Sequence, residues 1–211
     1  MKSRIILSEE GDSIIKYCRS SEECANELRI YNLQLDFTPK LIKIINDNTI
    51  EISRIRGSSL SDKTDFNFSI PGKLLSRLHR SLKLEEKVIC HLDTNPRNYL
   101  IEEETGAFFL IDFSESSFSL PENDLVNFLL FWAAILPSDH FQPAMRDFLA
   151  GYDAPELLKM NHQELLSQYI DIFDERRIKY CKNPGTVFEW QKNNRGYLLS
   201  NFYPILATKR I

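Results

Sequence analysis

The chain has 211 residues, of which 43% are hydrophobic and 27% charged, and 30 acidic against 26 basic side chains give a formal net charge of −4. This composition is that of a globular protein large enough for one sizeable domain or two small lobes. The acidic balance and the lack of a Lys/Arg block argue against direct binding of nucleic acid or of an anionic membrane.

The cysteines and the apolar segments favour a reducing, cytoplasmic location. No C-x-x-C spacing occurs, so neither a zinc site nor a disulfide framework is predicted. The start, M-K-S-R-I-I-L-S-E-E, has too short an apolar run for a signal peptide. The apolar stretch Phe128–Leu136 is far below the ~20 residues that span a bilayer. The four cysteines are scattered along the chain: Cys18, Cys24, Cys90 and Cys181.

The first quarter of the chain predicts two β-hairpins with a helix between them. The runs Arg4–Leu7 and Ser13–Cys18 are rich in β-formers and are separated by S-E-E-G-D, which is typical of a hairpin turn. The runs Lys40–Ile45 and Thr49–Ile55 flank N-D-N, another good turn sequence. The segment between the hairpins is helical in pattern and ends before Pro39.

This first helix is expected to begin at Ser21, a plausible N-cap, and to run for about four turns. Glu27 falls at the edge of its apolar stripe and needs a partner, for which Lys16 of the second strand is the nearest candidate. Two simpler interpretations stay open. Lys16 could lie on the solvent-exposed face of an alternating strand, and Glu27 could pair locally with Arg29 or with water. The apolar stripe consists of Cys24, Leu28, Tyr31 and Leu35.

The polar, aperiodic segment Ser58–Asn67 predicts a linker, which places a lobe boundary near Gly57. We therefore predict an α+β fold with a small N-terminal β-rich lobe and one helix over residues 1–57. Residues 58–211 would form a mainly helical C-terminal lobe that carries one hairpin. Its helices are predicted at Ile70–Leu82, Leu125–Leu136, Phe141–Leu149, His162–Arg177 and Val187–Tyr203, with breaks that include N-P-G at 183–185.

The central stretch His91–Phe113 carries the pattern that points to chemistry. It begins with His-x-Asp, places Asn98 five residues after Asp93, and reaches Asp112 after an acidic turn between two apolar runs. These runs predict a hairpin that brings Asn98 and Asp112 to one side of a cleft. Phosphoryl transfer needs a group that accepts the proton of the attacking hydroxyl and oxygen ligands for Mg²⁺.

Asp93 suits the proton acceptor, while Asn98 and Asp112 suit the metal ligands. Lys16 would supply a cation for the other phosphates, held in place by Glu27. His91 is expected to fix the backbone of the loop rather than to transfer protons. A turn rich in Asp, Asn and Pro is also common loop chemistry, but the hairpin and the I-D-F that follow make chance a poor explanation.

The motif resembles the protein-kinase-like superfamily, in its aminoglycoside phosphotransferase/choline kinase branch, where the catalytic loop is H-G-D-x-x-P-x-N-like. The similarity covers about Ile5–Leu136 and implies a two-lobed kinase-like fold with a reduced N-terminal lobe. By this resemblance Asp93 is the catalytic base, and Asn98 and Asp112 bind Mg²⁺.

The resemblance also implies the nucleotide contacts. Lys16 and Glu27 would form the ion pair that positions the α- and β-phosphates of ATP. The segment Ser53–Gly57 resembles the interlobe hinge, where Ser53 and Ile55 would meet the adenine. Asp124 resembles the acidic residue that braces the catalytic loop from below.

Three departures from the family pattern matter. No Gly-rich loop precedes Lys16, so the phosphate lid is reduced or absent. Asn95 stands where a Lys or His would steady the transferred phosphate, a role that an inward-pointing Arg97 could take. Ser114 replaces the glycine of D-F-G.

The predicted function is phosphorylation of a small hydroxyl-bearing molecule with ATP (or GTP) and Mg²⁺. A small acceptor is favoured because the segment between Asp112 and Asp124 is too short for the peptide-docking platform of protein kinases. One alternative is the small atypical kinase/ATPase of a tRNA-modification complex, which would require a partner protein. Another is a pseudokinase-like nucleotide-binding module. Four acidic residues could recognise an amine or form solvated surface: Glu115, Asp171, Asp174 and Glu175.

Overall fold

The structure is a computed structural model that describes residues 4–63, 65–159, 163–180 and 189–208. It contains ten strands and six α-helices over these residues, joined by 3₁₀ turns at Leu60–Asp62, Pro96–Asn98 and Pro155–Leu157. In chain order the strands and helices are β1 (Arg4–Leu7), β2 (Ser13–Tyr17), α1 (Ser21–Tyr31), β3 (Leu41–Asn46), β4 (Thr49–Ser53), β5 (Gly57–Ser59), α2 (Ser69–Ser81), β6 (Lys83–Leu84), β7 (Lys87–Cys90), β8 (Tyr99–Glu102), β9 (Phe108–Leu110), β10 (Ser117–Ser119), α3 (Pro121–Ala133), α4 (Ser138–Gly151), α5 (Gln163–Tyr180) and α6 (Glu189–Ala207).

The chain packs as two compact units that are discontinuous in sequence. The first unit, Met1–Thr64 with Pro96–Ser117, holds most of the strands and α1; the second, Asp65–Asn95 with Phe118–Ile211, holds the other helices. The predicted α+β class, with a β-rich and a mainly helical part, is therefore confirmed. The lobe boundary near Gly57 stays a prediction, because these units follow packing and not independent folding.

The first unit is built on a four-stranded antiparallel sheet with the order β1-β2-β4-β3. Both predicted hairpins, β1–β2 and β3–β4, are present. Strand β2 pairs with β1 on one side and with β4 on the other. Lys16 of β2 stands opposite Ile5 on one side and Ile50 on the other. Since directly opposed residues share a face of a sheet, this register sets a single buried ammonium among apolar neighbours.

A second sheet of the first unit has the order β5-β8-β9 and contains the predicted central hairpin. It also corrects the expectation that residues 58–67 form a structureless linker, since β5 and a 3₁₀ turn occupy residues 57–62. Gly57 permits this pairing, because a Cβ there would lie 2.2 Å from the carbonyl oxygen of Ile101. Leu60 is fully buried, which a polar linker would not require.

Helix α1 is shorter than predicted and begins with a different cap. Ser20, and not Ser21, is the N-cap, and its side chain accepts from the backbone N–H of Glu23. The helix ends at Tyr31, about one turn before Leu35, and the left-handed φ of 52° at Gln34 marks the reversal that follows. Its buried face includes Glu27, which was predicted at the stripe's edge.

In the second unit, aromatic packing joins α3 to its neighbours. Phe128 stacks on Phe148 of α4 with ring centroids 4.4 Å apart, and Trp132 contacts both Phe66 and Phe68. Pro121 starts α3 because its fixed φ suits the first turn of a helix and no N–H is needed there. This apolar core supports the N-terminal end of α3, which carries Asp124.

Several expectations fall on other parts of the chain. The predicted helix starts at His162 and Val187, the N-P-G break at 183–185 and Cys181 lie outside the described residues. Cys18, Cys24 and Cys90 are free and buried. Among the helices that the structure describes, none is long and apolar enough to cross a membrane.

Candidate active site

A cavity in the first unit collects most of the residues that the sequence singled out. Its walls are apolar side chains from both sheets, and its polar groups come from β2, from the segment after β4 and from the central hairpin. The lining residues are Ile5, Ile14, Lys16, Tyr31, Pro39, Ile52, Ser53, Arg54, Ile55, Asn98, Leu100, Ile111 and Asp112.

Lys16 is the buried cation in the lining of this cavity and is bonded to two carboxylates. Its ammonium, on a residue only 3% exposed, donates to Oε1 of Glu27 and, over 2.6 Å, to Oδ1 of Asp112. Burial lowers the pKa of Lys16, but the charges of Glu27 and Asp112 outweigh it, so that this pKa is raised above its ordinary value. Lys16 is therefore a permanent positive charge, held in one place by Glu27.

Glu27 is fully buried on α1, which decides between the two interpretations of its spacing: it pairs with Lys16 and not locally with Arg29. Burial raises the pKa of Glu27, and the positive charge of Lys16 opposes that rise. A buried carboxylate without such a partner would be strongly destabilising. The ion pair thus fixes α1 against the central strand of the sheet.

Asp112 and Asn98 lie at the same end of the β8–β9 hairpin. The backbone N–H of Ile111 donates to the carbonyl oxygen of Asn98 over 3.0 Å, which holds the two ends together. Asp112 has a left-handed φ of 63°, and its Oδ1 also accepts from the hydroxyl of Ser114. Carboxylate and amide oxygens are hard ligands, so this pair fits the requirements of Mg²⁺.

Tyr31 is a cavity residue that the sequence analysis assigned only to the apolar stripe. Its ring packs edge-on against Phe113 with centroids 5.8 Å apart, and it is 2% exposed. Burial and the neighbouring charge of Glu27 raise the pKa of Tyr31 well above its usual range. The i,i+4 spacing from Glu27 is the signal that could have placed it on the cavity side of α1.

The turn between β1 and β2 is short and is tied to the segment after β4. Arg54 donates its backbone N–H to the carbonyl of Asp12 and its guanidinium to that of Gly11, over 2.9 and 3.1 Å. Arg56 pairs with the Asp12 carboxylate, although both side chains are largely exposed and the pair adds little stability. Residues 8–12, S-E-E-G-D, contain a single glycine, so this turn is not a Gly-rich loop.

The loop that carries Asp93 belongs to the second unit, where Asp124 braces it from α3. The fully buried Asp124 carboxylate accepts the backbone N–H groups of His91 and Leu92 over 2.7 and 2.8 Å. Its carbonyl oxygen also accepts from the hydroxyl of Thr94. Nδ1 of His91 accepts the N–H of Asp93, which agrees with the structural role expected of His91.

His79, to which the sequence analysis gave no role, completes this brace. Its Nε2 lies 3.0 Å from Oδ2 of Asp124 and its Nδ1 lies 3.0 Å from the hydroxyl of Tyr152. Both contacts are satisfied when Nε2 donates to Asp124 and Nδ1 accepts from the hydroxyl of Tyr152. His79 therefore holds the Asp124 carboxylate, and that carboxylate holds the loop. The position of His79 beside an apolar helix face did not predict this contact.

Leu92 occupies a left-handed conformation, with φ 62°, between the two loop residues of interest. The related pattern H-G-D has glycine at this position, where positive φ costs nothing. Its N–H bonds Asp124, and its carbonyl oxygen accepts from the guanidinium of Arg176 over 3.1 Å. The loop is thus held in a conformation that leucine adopts at a cost of about 1–2 kcal/mol.

We expect Leu92→Val to lower the free energy of unfolding by a further 1–2 kcal/mol or so, because a β-branched residue tolerates positive φ worst. Chemical denaturation would measure the change. Leu84→Val, at an exposed position of β6, is the matched control and should be nearly neutral. Equal losses in the two variants would contradict the strain at Leu92.

In the structure the predicted Lys16 contacts both Glu27 and Asp112, and Ser53, Ile55 and Asn98 line the same cavity as Lys16 and Asp112. Asp93 stands in the braced loop of the second unit. Arg97 is exposed and Asn95 is half-buried, and their part in steadying a phosphate stays a prediction. The roles of all these residues are likewise predictions.

Comparison with solved structures shows what fold this arrangement belongs to. A choline/ethanolamine kinase family protein from Mesorhizobium loti matches with a TM-score of 0.58 at 12% identity, covering 100% of this chain and 92% of that one. Choline kinase from Streptococcus pneumoniae gives 0.54 at 18%, covering 98% and 93%. An aminoglycoside phosphotransferase from Streptomyces rimosus, in complex with ADP and streptomycin, gives 0.57 at 13%, covering 80% and 89%.

The structural likeness confirms the predicted kinase-like fold class, and together with the family match given below it confirms the resemblance to the aminoglycoside phosphotransferase/choline kinase branch. A comparison of the sequence with curated proteins gives no match. Residues 51–165, more than half of the chain, match the phosphotransferase enzyme family, and this match confirms the predicted class of enzyme. The chain belongs to the phosphotransferase enzyme family.

Proposed function

We propose that the chain transfers the γ-phosphoryl group of ATP to a hydroxyl of a small molecule, with Mg²⁺ as the metal. The observation that carries this proposal is the cavity of the first unit, where Lys16, Asn98 and Asp112 line one space with apolar walls. A purine needs apolar surfaces, its phosphates need a fixed cation, and the metal needs hard oxygen ligands. All three are supplied by side chains around one cavity.

The segment after β4 supports ATP as the nucleotide. Ser53 and Arg54 use their backbone N–H groups on Lys40 and Asp12. Over the residues that the structure describes, the backbone of Ile55 makes no hydrogen bond, although Ile55 lines the cavity. Its N–H and C=O are therefore suited to the donor and acceptor edge of adenine, with Ile52 and Leu100 on the apolar walls.

In the proposed reaction the acceptor hydroxyl gives its proton to Asp93 as its oxygen bonds to phosphorus, and the bond to ADP breaks. Lys16 balances charge on the phosphates that remain with ADP. Asn98 and Asp112 would hold Mg²⁺, which supplies charge neutralisation on the phosphate oxygens when bound. We also propose that residues 1–57 and 58–211 are the two lobes, and that the enzyme is cytoplasmic, as its cysteine spacing suggests.

A second candidate, a nucleotide-binding module with little turnover, is favoured by one observation. The β1–β2 turn is acidic and tied down by Arg54, so it has no evident means to cover the phosphates. By contrast, no feature of residues 4–63, 65–159, 163–180 or 189–208 favours the alternative of a kinase/ATPase in a tRNA-modification complex. Turnover that appears only with a partner protein would be its signature.

Replacing Lys16 with Met tests the nucleotide site. We expect the affinity for ATP to fall roughly 10- to 100-fold, because a charge-assisted contact to the phosphates is lost. Lys43→Met, at an exposed position of the same sheet, is the matched control. Since Lys16→Met alone strands the buried Glu27, the double variant Lys16→Met/Glu27→Gln keeps the comparison free of an uncompensated charge.

ATP affinity is measured by calorimetric titration. Phosphate transfer to a panel of hydroxylated acceptors is measured with and without EDTA. Transfer that is lost with EDTA and with the double variant supports a metal-dependent kinase. ATP binding without any transfer would support the binding module. Unchanged ATP affinity in the double variant would contradict the proposed nucleotide site.

A further inference from the structure

The segment after β9 carries Asp112, and helix α1 holds this segment in place. Ser114 stands at the position of the glycine in the related pattern D-F-G, and its hydroxyl donates to Oδ1 of Asp112 over 3.0 Å. The side-chain amide of Asn26 on α1 donates to the carbonyl oxygen of Ser114, also over 3.0 Å. We propose that Ser114 and Asn26 are positioning residues that set the affinity of Asp112 for the metal. This inference rests on the proposed kinase function.

Two donors converge on one oxygen of Asp112. The ammonium of Lys16 lies 2.6 Å from Oδ1, and the hydroxyl of Ser114 lies 3.0 Å from the same atom. When phosphates bind, Lys16 shares its charge with them, whereas the uncharged hydroxyl of Ser114 stays with the carboxylate. Ser114 is therefore the partner that can keep the orientation of the metal ligand unchanged as the nucleotide enters. A glycine at this position would have no side chain to do so.

The backbone of this segment needs support from outside. Asp112 has a left-handed φ of 63°, which aspartate adopts less readily than glycine does. The chain then turns, and the N–H of Ser116 donates to the carbonyl oxygen of Phe113 over 2.9 Å. A left-handed conformation persists only where the surrounding contacts enforce it. Helix α1 supplies such contacts on the far side of the turn.

Arg29 decides how the amide of Asn26 is oriented. Its guanidinium lies 3.1 Å from the Asn26 side chain, and because a guanidinium can only donate, its partner is Oδ1. This contact leaves Nδ2 of Asn26 to face the carbonyl oxygen of Ser114. The hydroxyl of Ser116 donates to the carbonyl oxygen of Asn26 over 3.3 Å. All four residues belong to the first unit, so the support lies within one compact body.

Consecutive residues of α1 thus hold the two charged groups of the site. Glu27 holds Lys16, and Asn26 holds the segment that carries Asp112. The carboxylate is therefore oriented before a metal arrives, and no ordering of this side chain is required on binding. Removing a group that orients a metal ligand commonly weakens metal binding by about 10- to 100-fold.

The test measures metal binding directly. The probe is Mn²⁺, which takes the same oxygen ligands as Mg²⁺ and is detected by electron paramagnetic resonance. It is titrated into the chain with AMP-PNP, an ATP analogue that is not hydrolysed, and protein is kept in excess so that little analogue stays free. We expect Ser114→Ala to weaken Mn²⁺ binding about tenfold and to leave the affinity for AMP-PNP in EDTA unchanged.

Two variants show whether the hydroxyl is responsible. Ser114→Thr keeps a hydroxyl and should stay within about threefold of the wild-type Mn²⁺ affinity. Ser117→Ala, at an exposed position three residues further on, is the matched control and should leave this affinity unchanged. A threonine variant as weak as the alanine variant would assign the effect to packing and would contradict the inference.

Asn26→Ala should weaken Mn²⁺ binding roughly threefold, since one neutral hydrogen bond that acts through Ser114 is lost. In the Ser114→Ala background the same change should have no further effect, because the hydroxyl that Asn26 positions is absent. Asn32→Ala, at the exposed position that follows α1, is the control. Additive losses in the double variant would show that Asn26 acts independently of Ser114 and would refute its positioning role.

The outcomes separate this inference from the proposed function. Wild-type Mn²⁺ affinity in Ser114→Ala, in a chain whose wild type transfers phosphate, would refute the inference alone. Equal losses of AMP-PNP affinity with and without metal would indicate damage to the whole cavity and would also refute it. Weaker Mn²⁺ binding in Ser114→Ala, when the wild type phosphorylates no acceptor, would support the inference and refute the kinase function. A wild-type complex that binds no metal would refute both.

Discussion

Asp93→Asn is expected to reduce phosphoryl transfer by about 10³-fold and to leave ATP affinity unchanged. Asparagine has nearly the same shape but cannot accept the proton of the attacking hydroxyl, and general-base catalysis contributes about 10²–10⁴-fold. The backbone of residue 93 is held by His91, and the loop by Asp124, so the substitution should not move the loop. The residues proposed to bind the nucleotide belong to the first unit, whereas Asp93 belongs to the second.

Single-turnover transfer to the best acceptor and calorimetric ATP binding would measure the two quantities. Asp147→Asn, the same change at an exposed position of α4, is the control for loss of a surface charge. A variant that retains more than about a tenth of the wild-type rate would remove Asp93 from the role of base. A parallel loss of ATP affinity would place Asp93 in the nucleotide site instead.

The central motif was the part that the sequence could predict best, because its determinants are local. Alternating apolar runs around a turn that ends at Gly106 predict a hairpin, and the observed register pairs Tyr99 with Leu110. Once that hairpin exists, Asn98 and Asp112 must emerge at the same end. Helix positions in the second unit follow from periodicity in the same way.

The contacts of Lys16 depend on information that periodicity does not contain. Lys16 and Asp112 are 96 residues apart, and their contact requires two sheets to share one cavity. The sequence pattern placed Glu27 at the edge of the apolar stripe of α1, because a carboxylate is treated as a polar, exposed residue in a hydrophobic periodicity. It is buried because Lys16 is there to neutralise it, which is a property of the assembled unit.

The contact between Asp124 and His79, which supports the loop, also depends on tertiary packing that the sequence pattern does not contain. The resemblance suggested a bracing role for Asp124, and spacing alone left His79 without a function. Both side chains are fully buried, and their contact joins α2 to α3. Sequence reasoning treated each helix as a separate stripe, so a polar pair between two helices could not be foreseen from either one.

Asp124→Ala is expected to lower the free energy of unfolding by about 3–5 kcal/mol, because each buried polar group that loses its partner costs about 1–3 kcal/mol. The change leaves the buried N–H group of His91 and the part-buried N–H group of Leu92 without their acceptor, and His79 without its carboxylate. For a chain of this size the melting temperature should fall by roughly 10 °C. Thermal and denaturant unfolding would measure both changes.

Asp124→Asn separates the brace from overall stability. It keeps one oxygen acceptor but turns an amide NH₂ toward a backbone N–H, so we expect a smaller loss of stability and a clear loss of kcat well below the melting temperature. Glu122→Gln is the matched control, because Glu122 is equally buried on α3 and its carboxylate accepts the backbone N–H of Lys159. It should cost stability without lowering kcat. If both variants lowered kcat alike, Asp124 would serve the packing of α3, and the loop that carries Asp93 would owe its geometry to His91 and Arg176.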